Sequence, residues 1–150
     1  MAPHIDVLAH KDVRGVFGMQ RIDLCVRGVC VIRPGVPGVS ETIRVRSIVG
    51  RFLEHSRIVA LENGGDREIF VGSADWMGRN LDRRYELAVP VLDPVMAETL
   101  ASQILAVLLA DNVKSRELRE DGNYVRRAPK AGEMPVDAQR VFLTQAQGRA

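Results

Sequence analysis

Residues 57–73, "RIVALENGGDREIFVGS", set two short apolar runs on either side of Asn63-Gly64-Gly65. Asn and Gly tolerate positive φ, so a tight turn is expected there, with "RIVALE" (57–62) and "REIFVGS" (67–73) as its paired strands. The two glycines lack the Walker spacing and a Lys-Ser/Thr ending, and they do not lead into a helix. They read as a turn and not as a phosphate loop.

Outward from this hairpin the chain alternates strand and helix patterns. Residues 21–27, "RIDLCVR", put Ile22, Leu24 and Val26 on one face and Asp23, Cys25 and Arg27 on the other, a strand closed by Gly28. "RPGVPG" (33–38) is a loop. Val45, Ile48, Val49, Phe52 and Leu53 then recur at steps of three and four, which predicts an amphipathic helix over 41–54 with His55 at its end. "YELAVPVL" (85–92) is a further strand, and Pro90 puts it at an edge or a frayed end. Asp93-Pro94 reads as N-cap and first helical position of a helix reaching about Asn112, with Met96, Leu100, Ile104, Val107 and Leu108 inward. Residues 113–133 are charged and predict loops or a short hairpin around "NYVRR". A last helix, Pro135 to about Gln147, carries Val136, Gln139, Arg140 and Leu143. Residues 1–20 show neither period. The expected class is α/β, a mixed sheet flanked by helices. Ligands in such sheets gather beyond the carboxyl ends of strands, where Arg27, Ser73 and Asp75 fall.

At 150 residues the chain suffices for one domain with its own core. A formal net charge of +2 does not by itself indicate nucleic-acid binding. Arginines cluster between 44 and 57 and again at 79–84, and arginine suits bidentate contact with carboxylate or phosphate. The spacing of Cys25 and Cys30 puts them on opposite faces of a straight strand and matches no metal motif, so two unpaired thiols in a reducing cytoplasm are expected. The first residues carry charges and no apolar core, unlike a secretory signal, and no apolar run approaches the ~20 residues of a membrane span. Trp76 is expected to be a packing anchor, since no basic residues interleave with aromatics around it.

His55-Ser56-Arg57, Glu62, Gly72-Ser73 and Asn80 form a set able to handle phosphate. An imidazole can attack phosphorus or protonate a leaving oxygen, a guanidinium can neutralise phosphate oxygens, and hydroxyl and amide groups add donors. The set is similar to the H-x-K…G-S…N signature of the phospholipase D superfamily, with Arg57 in place of lysine and Glu62 where the acid is expected. Spacing alone leaves a second reading of His55 open, that of a cation favoured at a helix C-terminus. A lone Arg27 at a strand end reads better as the partner of a surface acid than as a phosphate contact, and Arg84 within "RRYE" reads as a phosphate contact or as part of a solvated edge.

Longer stretches, in order, are more specific. "IDLCVRGVCVIRPGVPGVSETIRVRSIVGRFLEHSR" (22–57), "ENGGDREIFVGSADWMGRNLDRRYELAVPVLDP" (62–94) and "DNVKSRELREDGNYVRR" (111–127) together resemble the carboxy-terminal domain of bacterial polyphosphate kinase, a phospholipase-D-like half. The resemblance implies reversible transfer of the ATP terminal phosphoryl group to inorganic polyphosphate through a phosphohistidine. It implies that Arg27 and His55 contact nucleotide and phosphate, with His55 catalytic and Arg84 a further candidate, and that Mg2+ accompanies the nucleotide. It places the phosphate-accepting histidine in a preceding domain, so the isolated chain is expected to be inactive. His4 and His10 fall in no matching motif. Residues 1–20 are expected to be a divergent, non-family segment and 21–147 the domain itself. The expected partners are ATP or ADP, polyphosphate, the missing catalytic domain or another subunit, and further copies in a homo-oligomer, but not nucleic acid. The expected location is the cytoplasm, with peripheral attachment at the inner membrane left open. The rival readings are a non-catalytic nucleotide- or polyphosphate-binding fragment, and a phospholipase-D-type hydrolase working as a homodimer.

Overall fold

Runs of Val, Ile and Leu bounded by Gly and Pro build the sheet of the computed structural model, which describes residues 4–10, 21–27, 30, 32–75, 80 and 82–148. Eight strands form one mixed sheet: β1 His4–His10, β2 Arg21–Arg27, β3 Ile43–Ile48, β4 Ile58–Leu61, β5 Glu68–Gly72, β6 Ala88–Pro90, β7 Ser115–Leu118 and β8 Tyr124–Arg126. Their order across the sheet is β6-β5-β4-β1-β2-β3-β7-β8. The mixed α/β class matches the expectation from the sequence.

The hairpin at 57–73 forms as read. Ile58 pairs with Val71 and Leu61 with Glu68, and Asn63–Gly65 make a short 3-10 turn in which Gly64 (φ 73°) and Gly65 (φ 103°) take the left-handed conformation that favours glycine. β2 also forms as read, with Leu24 and Val26 in one buried cluster and Cys25 in another, so its two faces serve two cores. Both cysteines are buried and unpaired with each other. β6 is an edge strand with Pro90 at its end, where a missing N–H costs least. The expected hairpin around "NYVRR" is β7–β8.

Three expectations are corrected. Residues 41–54 do not form a helix. Ile43–Ile48 is a strand parallel to β2, because β-branched Ile43, Val45 and Ile48 fit a pleated surface between two neighbours, and the three-and-four spacing of apolar residues was coincidental. The helix after Pro94 does form, as α1, capped by Asp93 Oδ1, which accepts from Met96 N at 2.8 Å. It contains α-helical Pro94–Thr99, a π-helical stretch Leu100–Leu105 and α-helical Ala106–Ala110. Leu100, Ile104, Val107 and Leu108 face inward as expected, joined by Ala97, Ala101 and Leu105, while Met96 is exposed. The last helix, α2, spans Ala138–Gln147, and Asp137 caps it by accepting from Arg140 N at 3.2 Å. It buries Ala138, Gln139 and part of Phe142, while Arg140 and Leu143 are exposed.

Both helices pack on the face carrying Cys25, Ile48, Ile58, Ala60 and Ile69. The other face holds Leu24, Val26, Val45 and Leu118, covered in part by Cys30, Ile32 and Tyr124. Asp111, fully buried between α1 and β7, ties the helical layer down. Its Oδ1 accepts from Val113, Lys114 and Ser115 N at 3.0, 2.7 and 3.0 Å, and its Oδ2 from Ala138 N at 2.9 Å. Arg46 donates to Leu109 O, and Arg127 to Asp111 O at 3.2 Å, so two guanidinium groups neutralise the C-terminal carbonyls of α1. Burial, then the charge of Arg127, lowers the pKa of Arg46.

Candidate functional site

The sheet register collects the candidate residues at one end. β2 and β3 are parallel, Val26 beside Ser47, and both end there. β1 starts there, His4 opposite Arg27, and β4, parallel to β1, starts there too. β5 ends there and β6 begins there, Gly72 opposite Ala88. The loops that follow or precede these strand ends therefore carry Arg27, His55, Ser73, Asp75, Asn80, Arg84 and Glu86 on one rim.

Residues 49–57 follow β3 without a regular element, yet they are pinned. Gln139 from α2 accepts from Phe52 N at 3.0 Å and donates to Phe52 O at 2.8 Å and to Glu54 Oε1 at 2.9 Å. The guanidinium of Arg27 donates to the same Phe52 carbonyl, three residues before His55. A Cβ on Gly50 would overlap the Gln139 amide, so a side chain there must push the amide out of its place. Gly50→Ala is expected to break this clamp, cost about 1–3 kcal/mol, and open 49–57 to limited proteolysis. Gln139→Ala should reproduce the proteolysis, and an unchanged digestion pattern in both would refute the clamp.

His55 is exposed, and its carbonyl accepts from Arg57 Nη1 at 2.9 Å. β3 ends at Ile48, so no helix terminus stands before His55 and the helix-end reading falls away. Arg57 does not project as a lone phosphate cation. Its Nε and Nη2 lie 2.9 and 2.8 Å from Oδ1 of buried Asp75, which fixes the start of β4 against the end of β5. Glu62 is not brought to His55, for it sits past the far end of β4 and pairs with Arg67 across the turn. Asp75 is the acid next to Arg57 instead. Ser73 and the buried Asn80 both donate to Glu86, Asn80 Nδ2 at 3.1 Å from Oε1, and Leu87 N donates to Ser73 Oγ at 3.0 Å. Arg84 is exposed two residues before Glu86. Trp76 lies outside the described residues.

The outcome for the sequence-derived set is mixed. Arg27, His55, Ser73, Asn80 and Arg84 reach the same rim, while Glu62 does not. Glu86 and Gln139 organise the rim, and no local signal in the sequence announces either, since Gln139 acts on a residue 87 positions away. A groove of about 570 Å3 lined by Val113, Pro135, Asp137, Arg140 and Val141 runs along α2 and does not include Arg27, His55 or Arg84. The rim can present an imidazole and two arginines to a phosphate. None of the described helices is long and apolar enough to cross a membrane.

Comparison with known proteins places this geometry. The family model described as "Polyphosphate kinase C-terminal domain 2" matches residues 5–139. A polyphosphate kinase of Synechocystis is 55% identical over 126 residues, 84% of this chain and 17% of that protein. A polyphosphate kinase of Neisseria meningitidis serogroup C is 45% identical over 140 residues, 93% of this chain and 20% of that protein. The chain thus spans about a fifth or less of these relatives. The crystal structure of polyphosphate kinase from Porphyromonas gingivalis superposes with a TM-score of 0.78 at 36% identity, covering 98% of this chain and 24% of that one.

Proposed function

We propose the function of this chain from one premise: it belongs to the family of polyphosphate kinase C-terminal domains. The chain serves as the second phosphate- and nucleotide-binding half of an enzyme that moves the terminal phosphoryl group of ATP reversibly to inorganic polyphosphate through a phosphohistidine. The observation that supports this most is the coupling of Arg27 to the His55 loop through Phe52 on one sheet rim.

Phosphoryl transfer is mostly positioning plus charge stabilisation. Among the described residues Arg27 gives one donor, to Phe52 O, and a guanidinium carries five N–H donors, which suits the remainder to nucleotide phosphates. His55, held on a pinned but exposed loop, faces a histidine supplied by another domain or subunit and acts as proton donor or electrostatic stabiliser. Arg84 adds positive charge at the edge of the rim. Mg2+ enters such reactions mainly on the phosphates. The described residues hold no group of three His, Cys, Asp or Glu side chains suited to a metal, so no step on this chain is assigned to it. The setting is the cytoplasm, and the partners are ATP or ADP, polyphosphate and whatever supplies the second histidine.

Calorimetric titration with ADP and with long-chain polyphosphate tests the reading. Binding of both, with no ATP-dependent polyphosphate synthesis by the chain alone, is the expected result. No binding of either would leave the rim a structural remnant, and synthesis by the isolated chain would overturn the divided site.

A further inference from the structure

At the opposite edge of the sheet from β6, the register sets Arg116 of β7 directly against Arg126 of β8. Ser47 is the β3 partner of Arg116, and it shares its face with Val45, so both arginines lie on the face of Leu24, Val26 and Leu118, away from the helices. Like charges directly opposed on an antiparallel pair, with Cβ atoms about 5 Å apart, destabilise it. Among the described residues, neither arginine has a carboxylate within ion-pair distance. Glu117 points to the other face, opposite Arg46, and pairs with Arg119 at 3.5 Å. Arg126 gives Nη2 to Val113 O at 3.2 Å, and Arg116, partly buried, makes no hydrogen bond or ion pair among the described residues.

The pair is also placed with respect to the rim. Val26, Ser47, Arg116 and Arg126 form one row across β2, β3, β7 and β8, one residue short of Arg27, which belongs with Cys25 to the opposite, helix-covered face, so an anion reaching both passes over the end of the sheet. Two to three strand spacings, roughly 10–15 Å, separate the strand of Arg27 from the pair.

We propose that Arg116 and Arg126 form a second phosphate-binding point on the helix-free face, which takes the non-reacting stretch of a linear polyphosphate. The identity of the polyanion rests on the function proposed above; the paired arginines do not. An anion between the two guanidinium groups converts a repulsion into two bidentate contacts. Nucleic acid fits less well, because Tyr124, the aromatic residue opposite Leu118 on this face, is partly buried with its ring packed against the core cluster, which makes it a poor platform for base stacking.

The test compares wild type, Arg126→Gln, Arg116→Gln and the double variant. It measures binding of ADP and of long-chain polyphosphate at several salt concentrations, and thermal melting. Arg126→Gln changes an exposed position and makes the least demand on the fold. The expected result is a loss of polyphosphate affinity of about tenfold or more in the double variant and a salt slope shallower by about two. ADP binding should be unchanged and the melting temperature no lower. Unchanged polyphosphate affinity, with both ligands still bound by wild type, would reduce the pair to a charged sheet edge and leave the rim reading intact. Tighter binding of an oligonucleotide than of polyphosphate at equal charge would overturn the ligand class. Failure of wild type to bind either phosphate ligand would overturn both readings together.

Discussion

Asp111→Ala is expected to lower stability by at least about 3 kcal/mol, measured by urea unfolding or by the melting temperature. Its carboxylate accepts from four backbone N–H groups, those of Val113, Lys114, Ser115 and Ala138, at a fully buried position. Each buried donor left without an acceptor costs about 1–3 kcal/mol, and water recovers part of this only where it can enter. The loss is also shared between elements, because the same side chain holds the exit of α1, the entry of β7 and the first turn of α2. Asp111→Asn keeps one acceptor oxygen and should fall between, at about 1–2 kcal/mol. A change under about 1 kcal/mol for the alanine variant would show that water replaces the carboxylate.

Arg27→Ala is expected to weaken ADP binding by about 10- to 100-fold, the range given by loss of charge-assisted hydrogen bonds. Two effects combine in this variant, because the guanidinium both faces the rim and donates to Phe52 O. Arg27→Lys separates them. It keeps the positive charge and loses the fork, so it should recover part of the affinity without restoring the bidentate geometry. His55→Ala should leave ADP affinity nearly unchanged if the imidazole acts mainly on the transferring phosphoryl group. Equal ADP affinity in wild type and Arg27→Ala would remove Arg27 from the nucleotide site and with it the main support for the rim.

Much of the sheet was legible because local rules agree with its tertiary context. The turn at Asn63–Gly65, the alternation of β2, the edge proline of β6 and the cap at Asp93 each rest on chemistry within a few residues. Residues 43–48 were misread for a physical reason. Ile43 and Val45 alternate with Arg44 and Arg46, but Ile48 and Val49 break the period, and Val45, Ile48 and Val49 then match a helical stripe by chance. β1 carried no readable period, although it lies in the middle of the sheet. The candidate site divides the same way. Arg27 and His55 are proposed from longer matching stretches, not from spacing, and Glu62, which stands where the acid of the set is expected, pairs with Arg67 while Asp75 is the acid at Arg57. Glu86, Gln139 and Asp111 act through partners distant in sequence or through backbone groups, and neither leaves a motif.

The strand order has a kinetic consequence. Leu8 pairs with Ala60, and Ile48 pairs with Ser115, so the inner strands find their neighbours only after long loops close. Non-local pairing of this kind slows folding, because the entropy of closure is lost before the contacts form. During synthesis β1 and β2 emerge as a hairpin with both outer edges bare, and they wait for later strands to cover them. The expectation is a chain that depends on chaperones while it is being made, with β3 the inner strand that waits through the longest stretch of chain for its second neighbour.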